Sequence, residues 1–77
     1  MRNLIDVIDQ MLSVLPTNEE SLRKDLFGRK DSCFYTAPEA MSYRWEEVAN
    51  ILVNRFGKTE PISGWQKKIV DIWMDRK

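Results

Sequence analysis

Residues 38–57 read PEAMSYRWEEVANILVNRFG, and the fold class follows from this stretch. Met41, Trp45, Val48, Leu52 and Phe56 recur at steps of four, three, four and four, which sets them along one stripe of an α-helix. Pro38 suits a first helical position, where a missing N–H costs nothing. Gly57 suits the left-handed residue just past a helix end. Thr36-Ala37-Pro38-Glu39 also spells a Thr-x-x-Glu capping box. Ala37 before proline resists α geometry, so the two readings of the start compete. Tyr43, Glu46, Glu47, Asn50 and Asn54 make the wet face of this helix. The stripe defines the central element of a small all-α domain and carries no chemistry.

Working outward toward the N-terminus, a first helix is expected over 4–15. Asn3 can cap it and Asp6 sits in its first turn, where a carboxylate suits the helix dipole. Its apolar residues, Leu4, Ile5, Val7, Ile8, Met11, Leu12, Val14 and Leu15, cover about half of the cylinder at 100° per residue. That arc is wider than one neighbour needs. Either the helix packs between two others, or part of the arc, with Val7, Met11 and Val14 as its candidates, is a dimer or partner surface. Pro16 closes the segment.

Thr17-Asn18-Glu19-Glu20 is a second capping-box pattern and opens a short helix over 18–27, ended by Gly28. Its apolar face is thin, only Leu22, Leu26 and Phe27. Arg23, Lys24, Arg29 and Lys30 gather the densest basic charge in the chain, but Asp25 and Asp31 interleave with it, as on a solvated surface. Residues 28–37, GRKDSCFYTA, have no helical period and read as an irregular loop. Cys33, Phe34 and Tyr35 are too apolar to hang free in solvent, so the expectation is that they tuck under the core; a binding face is the competing reading.

Toward the C-terminus, Ser63-Gly64-Trp65-Gln66 gives a third capping pattern and a last helix over 64–76. Trp65, Ile69, Ile72 and Trp73 form its stripe, so Trp45, Trp65 and Trp73 all read as core residues. Val70 and Met74 lie at the edge of that stripe, a composition that suits partner contact. On the central helix, Arg44 and Arg55 flank the edge carrying Ile51. An apolar centre with two guanidinium arms suits an interface hot spot; two arginines lying over a broad core face is the blander account.

The expected architecture is therefore a single all-α domain over 1–77, a bundle of about four helices with an irregular 28–37 loop. A chain this short buries only about 60–65% of its unfolded surface, so a second copy or a permanent partner is a natural source of stability. Twelve basic and twelve acidic residues cancel, which removes the simplest argument for nucleic acid, phosphate neutralisation. The lone Cys33 and the absence of histidine exclude a His/Cys metal site and leave a thiol without an obvious base. No cofactor, metal or catalytic set is expected, and no glycine-rich phosphate loop appears. Glu19/Glu20 and Glu46/Glu47 are adjacent, so on a helix they point about 100° apart and do not converge on one atom. The longest apolar run, 4–15, is too short for a membrane span and is broken by Asp6 and Asp9. A single thiol and no secretory leader fit a cytoplasmic setting.

The function these features suggest is a non-enzymatic protein–protein interaction module that self-associates as a homodimer or docks on a larger partner. An adaptor, an assembly factor and a phage-type inhibitor fit equally. The competing reading is a small helix-turn-helix-like DNA-binding regulator, with 44–56 as supporting helix and 64–76 as recognition helix, and Lys58, Gln66, Lys67 and Lys68 as contacts. Against it, the connection after Gly57 exceeds the usual turn of about three to four residues, Asp71 and Asp75 offset the lysines, and no base-reading set stands beyond Gln66.

Overall fold

The computed structural model describes residues 2–57 and 64–76. They form four helices, α1 (Leu4–Val14), α2 (Glu20–Cys33), α3 (Met41–Phe56) and α4 (Gly64–Met74). One turn of 3-10 helix, Pro38–Ala40, leads into α3. Among the described residues there is no strand, so the all-α expectation holds.

The helix ends follow from local chemistry in some places and depart from it in others. The Asn3 side-chain oxygen accepts from the Asp6 amide at 2.9 Å and caps α1. Leu15, before Pro16, is extended (φ −73°, ψ 135°) and stops it. The Thr17 capping box does not form: α2 begins at Glu20, behind Glu19, with no side-chain cap. Pro38 opens the 3-10 turn rather than the α-helix, and Ala37 before it is extended (φ −64°, ψ 147°). Gly57 takes a positive φ of 63°, as expected of a glycine past a helix end, but with ψ −148° and not the left-handed helical value; its amide bonds the Val53 carbonyl at 2.7 Å. The Ser63 cap and Lys58 lie outside the described residues.

The largest departure is in α2. Gly28 does not end it; residues 28–33 continue the helix, and the irregular segment shrinks to 34–37. A glycine inside a helix costs about 1 kcal/mol against alanine. That cost is offset because the extra turns bring Cys33 into the core, seven residues beyond Leu26 on the same face, and carry Arg29 to Glu47 of α3.

Paired residues give the packing directions. Lys30 of α2 meets Asp9 of α1, while Arg23 reaches back to the carbonyls of Leu15 and Pro16, so α1 and α2 run antiparallel. Arg55 meets Asp25 while Arg29 meets Glu47, so α2 and α3 run antiparallel. The Arg2 amide donates to the Arg76 carbonyl at 3.3 Å, and Arg2 pairs with Asp75, so the start of α1 lies beside the end of α4. Phe56 stacks near Trp65 and Trp45 near Trp73, closing α3 against α4. The result is an up-down-up-down four-helix bundle in which each helix neighbours the next in sequence and α4 returns to α1.

The core is Leu4, Val7, Ile8, Met11 and Leu15 from the first helix and its end, with Leu22, Leu26 and Cys33, Val48 and Leu52, and Ile69 from the others. Met41, Trp45 and Phe56 of the α3 stripe pack against it half-buried, as do Trp65, Ile72 and Trp73. The broad arc of α1 is explained by its two neighbours, α2 and α4. Val7 and Met11 are fully buried within one copy of the chain and offer no surface, which corrects their reading as interface candidates.

Candidate functional site

The remaining candidates divide between internal ties and true surface. Arg44 donates through Nε to the Thr36 hydroxyl at 2.9 Å and pairs with Glu47. Arg55 pairs with Asp25 at 2.8 Å and bonds the Ser21 hydroxyl. Arg44 therefore ties α3 to the turn after α2, and Arg55 ties α3 to α2; neither reaches outward as an arm beside Ile51, itself half-buried. Val14 and Val70 are also half-buried. Met74 is 69% exposed and edges a polar groove with Arg2, Gln10, Asp71 and Asp75.

The basic cluster of α2 is likewise spent inside the bundle. Arg23 donates to two carbonyls just past the end of α1, at 3.4 Å to Leu15 and 3.2 Å to Pro16. Lys30 pairs with Asp9 at 2.6 Å. Arg29 lies 3.6 Å from Glu47, with its Nε shielded from solvent and making no hydrogen bond. Lys24 makes no ion pair among the described residues. On α4, Lys67 and Lys68 are exposed and Gln66 is half-buried, with exposed Asp71 and Asp75 one and two turns on.

Cys33 is buried and free. Burial pushes its thiol up from the ordinary range; the Arg44 guanidinium pulls it back in part, and Glu47 adds to the rise. A buried, protonated thiol is a poor nucleophile. Among the described residues no group of three His, Cys, Asp or Glu side chains could hold a metal ion. Nor is any described helix long and apolar enough to cross a membrane.

What the bundle does present is aromatic. Phe27 is 56% exposed, Phe34 63%, Tyr35 85% and Tyr43 66%. The expected tuck under the core is therefore met by Cys33 and not by Phe34 or Tyr35. The reason is the helical continuation of α2. Leu22, Leu26, Arg29 and Cys33 recur at four, three and four along the inner line, which leaves Glu20, Lys24, Phe27, Asp31 and Phe34 along the outer one. Phe27, placed on the apolar face from sequence, belongs to that outer line, with the Lys30 ammonium 5.5 Å from its ring centre. Beside it, Arg23, Lys24, Gly28 and Asp31 surround a shallow depression, and a Cβ added at Gly28 would meet nothing within 4 Å. The signal that could have found this face is the seven-residue spacing of Phe27 and Phe34, which the early stop at Gly28 concealed.

Comparisons with protein-family models, with curated proteins and with solved structures found no match.

Proposed function

We propose that this chain is a non-enzymatic protein–protein interaction module whose working surface is the outer line of α2 and the turn that follows it. The observation that carries the reading is the exposure of Phe27, Phe34 and Tyr35 together on one side of a domain this small. Aromatic side chains dominate interface energetics because each can remove about 150–250 Å2 from water and loses few rotamers in doing so. Spacing of this kind along one helix presents anchors as amphipathic recognition helices do. The DNA-binding alternative has less support, because Arg23, Arg29, Lys30, Arg44 and Arg55 are engaged within the bundle and are not arrayed toward a phosphate backbone.

The test compares the wild-type chain with a Phe27→Ser/Phe34→Ser/Tyr35→Ser variant, both checked for helical content by circular dichroism. Each is used as bait, with a second tagged copy of the chain included among the prey. The expected result is at least one protein, the second copy counted, retained by the wild type and lost from the variant. Identical retention by the two folded baits would sink the reading. Steep loss of a duplex-DNA complex with rising salt would instead favour the DNA-binding alternative.

A further inference from the structure

We infer that α2 pairs antiparallel with α2 of a second copy of this chain, about a two-fold axis passing between Phe27 and Gly28. This rests on the interaction-module reading and names its partner. The argument is the symmetry of the outer face. At about 100° per residue, positions 24, 27, 28 and 31 of α2 fall within roughly 50° of one line opposite the core, and they are distributed evenly about the midpoint of 27 and 28. A two-fold axis there sets Lys24 against the partner's Asp31, and Asp31 against the partner's Lys24. It also brings the two Phe27 rings side by side across the axis, and the two Gly28 positions, which have no side chain, let the backbones approach beside them.

Each of these groups is available. Lys24 and Asp31 are exposed and make no ion pair among the described residues. The space over Gly28 is open and lies inside the depression bounded by Arg23, Lys24, Phe27 and Asp31. An isologous contact requires a face that is its own complement, and here cation meets anion and ring meets ring without any further component. A chain with zero net charge adds no overall repulsion between copies. The extent is modest. Phe27 and Phe34 from two copies cover several hundred Å2 at about 150–250 Å2 for a fully covered ring, below the roughly 1,200–2,000 Å2 of a standard interface. The dimer is therefore weak and depends on concentration.

Sedimentation equilibrium from about 10 μM to about 1 mM tests this on the full chain. The wild type should pass from monomer to dimer across that range. Lys24→Glu alone and Asp31→Lys alone each put like charges face to face in both symmetry-related pairs, and each should weaken self-association about tenfold or more. Mixed together, the two variants should form a heterodimer at least as strong as the wild-type dimer, since one copy then carries acids at both 24 and 31 and the other lysines at both. Both substitutions are on exposed side chains, and unchanged circular dichroism confirms that the helices remain. A monomer at every concentration overturns the pairing, as does a dimer indifferent to both reversals or a mixture with no heterodimer. None of these touches the broader interaction reading, which stands or falls on the aromatic triple variant.

Discussion

Trp45 of α3 and Trp73 of α4 face each other with ring centres 5.7 Å apart and planes tilted by 49°. The backbones of α3 and α4 approach less closely than those of the other neighbouring helices, so this pair and Phe56 with Trp65, at 6.0 Å, carry the seam. Trp45→Ala should therefore cost about 3 kcal/mol, the lower end for a large aromatic because the ring is half-buried. In a double-mutant cycle with Trp73→Ala, the coupling should be about 0.5–1.5 kcal/mol beyond area burial. Urea unfolding followed by circular dichroism measures both. Coupling near zero would mean the two rings merely share a neighbourhood.

Gly28 and Gly57 should respond in opposite directions to alanine. At Gly28 the backbone is helical and the added methyl meets nothing, so Gly28→Ala should stabilise the chain by about 0.5–1 kcal/mol. At Gly57 the positive φ of 63° strains any side chain, so Gly57→Ala should destabilise by about 1 kcal/mol. Thermal or urea midpoints read both signs. A destabilised Gly28→Ala would mean that α2 is not helical through that position.

Cys33 should make stability fall in alkali. Its thiol sits above the ordinary range because burial disfavours the thiolate, so the folded chain holds this proton more tightly than the unfolded one. The contribution is fully present below the unfolded pKa of about 8.5 and is lost as pH rises through the folded value. The difference in urea midpoint between wild type and Cys33→Ala should therefore shrink or reverse between neutral pH and about pH 10. Native protein should also react slowly with a thiol reagent until urea opens it. Rapid labelling under native conditions would place the thiol at the surface.

Met11→Ala and Met74→Ala separate core from rim. Met11 is fully buried beneath α2 and α4, so its truncation should cost about 2–5 kcal/mol. Met74 is mostly exposed, so its truncation should stay within about 0.5 kcal/mol. Equal costs in a urea titration would contradict the burial of one and the exposure of the other.

The α3 stripe was legible in sequence because its periodicity and flanking Pro38 and Gly57 are local signals that tertiary packing reinforces. The end of α2 was not, since Gly28 is a local stop whose cost is met by non-local contacts: Cys33 in the core and Arg29 against Glu47. Val7 and Met11 were misplaced for a related reason. A wide apolar arc states that much surface must be covered, while the number of neighbours that cover it depends on where α2 and α4 lie. The arginines show the same limit. Composition gives twelve basic residues, yet only the packed bundle decides that Arg55 meets Asp25 and Arg44 meets Thr36 and Glu47. The outer aromatic line became visible once α2 was followed to Cys33.

The bond from the Arg2 amide to the Arg76 carbonyl brings the two ends of the bundle to within 3.3 Å of each other at one pole. Polypeptide attached on either side leaves from nearly the same point, at the pole toward which α2 also runs. Such a domain can be spliced into a loop of a host protein without forcing the host's own strands or helices apart, since the gap it must span is that of a tight turn. The same closeness lets the two ends of the bundle, at Arg2 and Arg76, be joined by a linker of a few residues and the chain reopened at the Thr17-Asn18 turn, giving a circularly permuted bundle with its aromatic face intact.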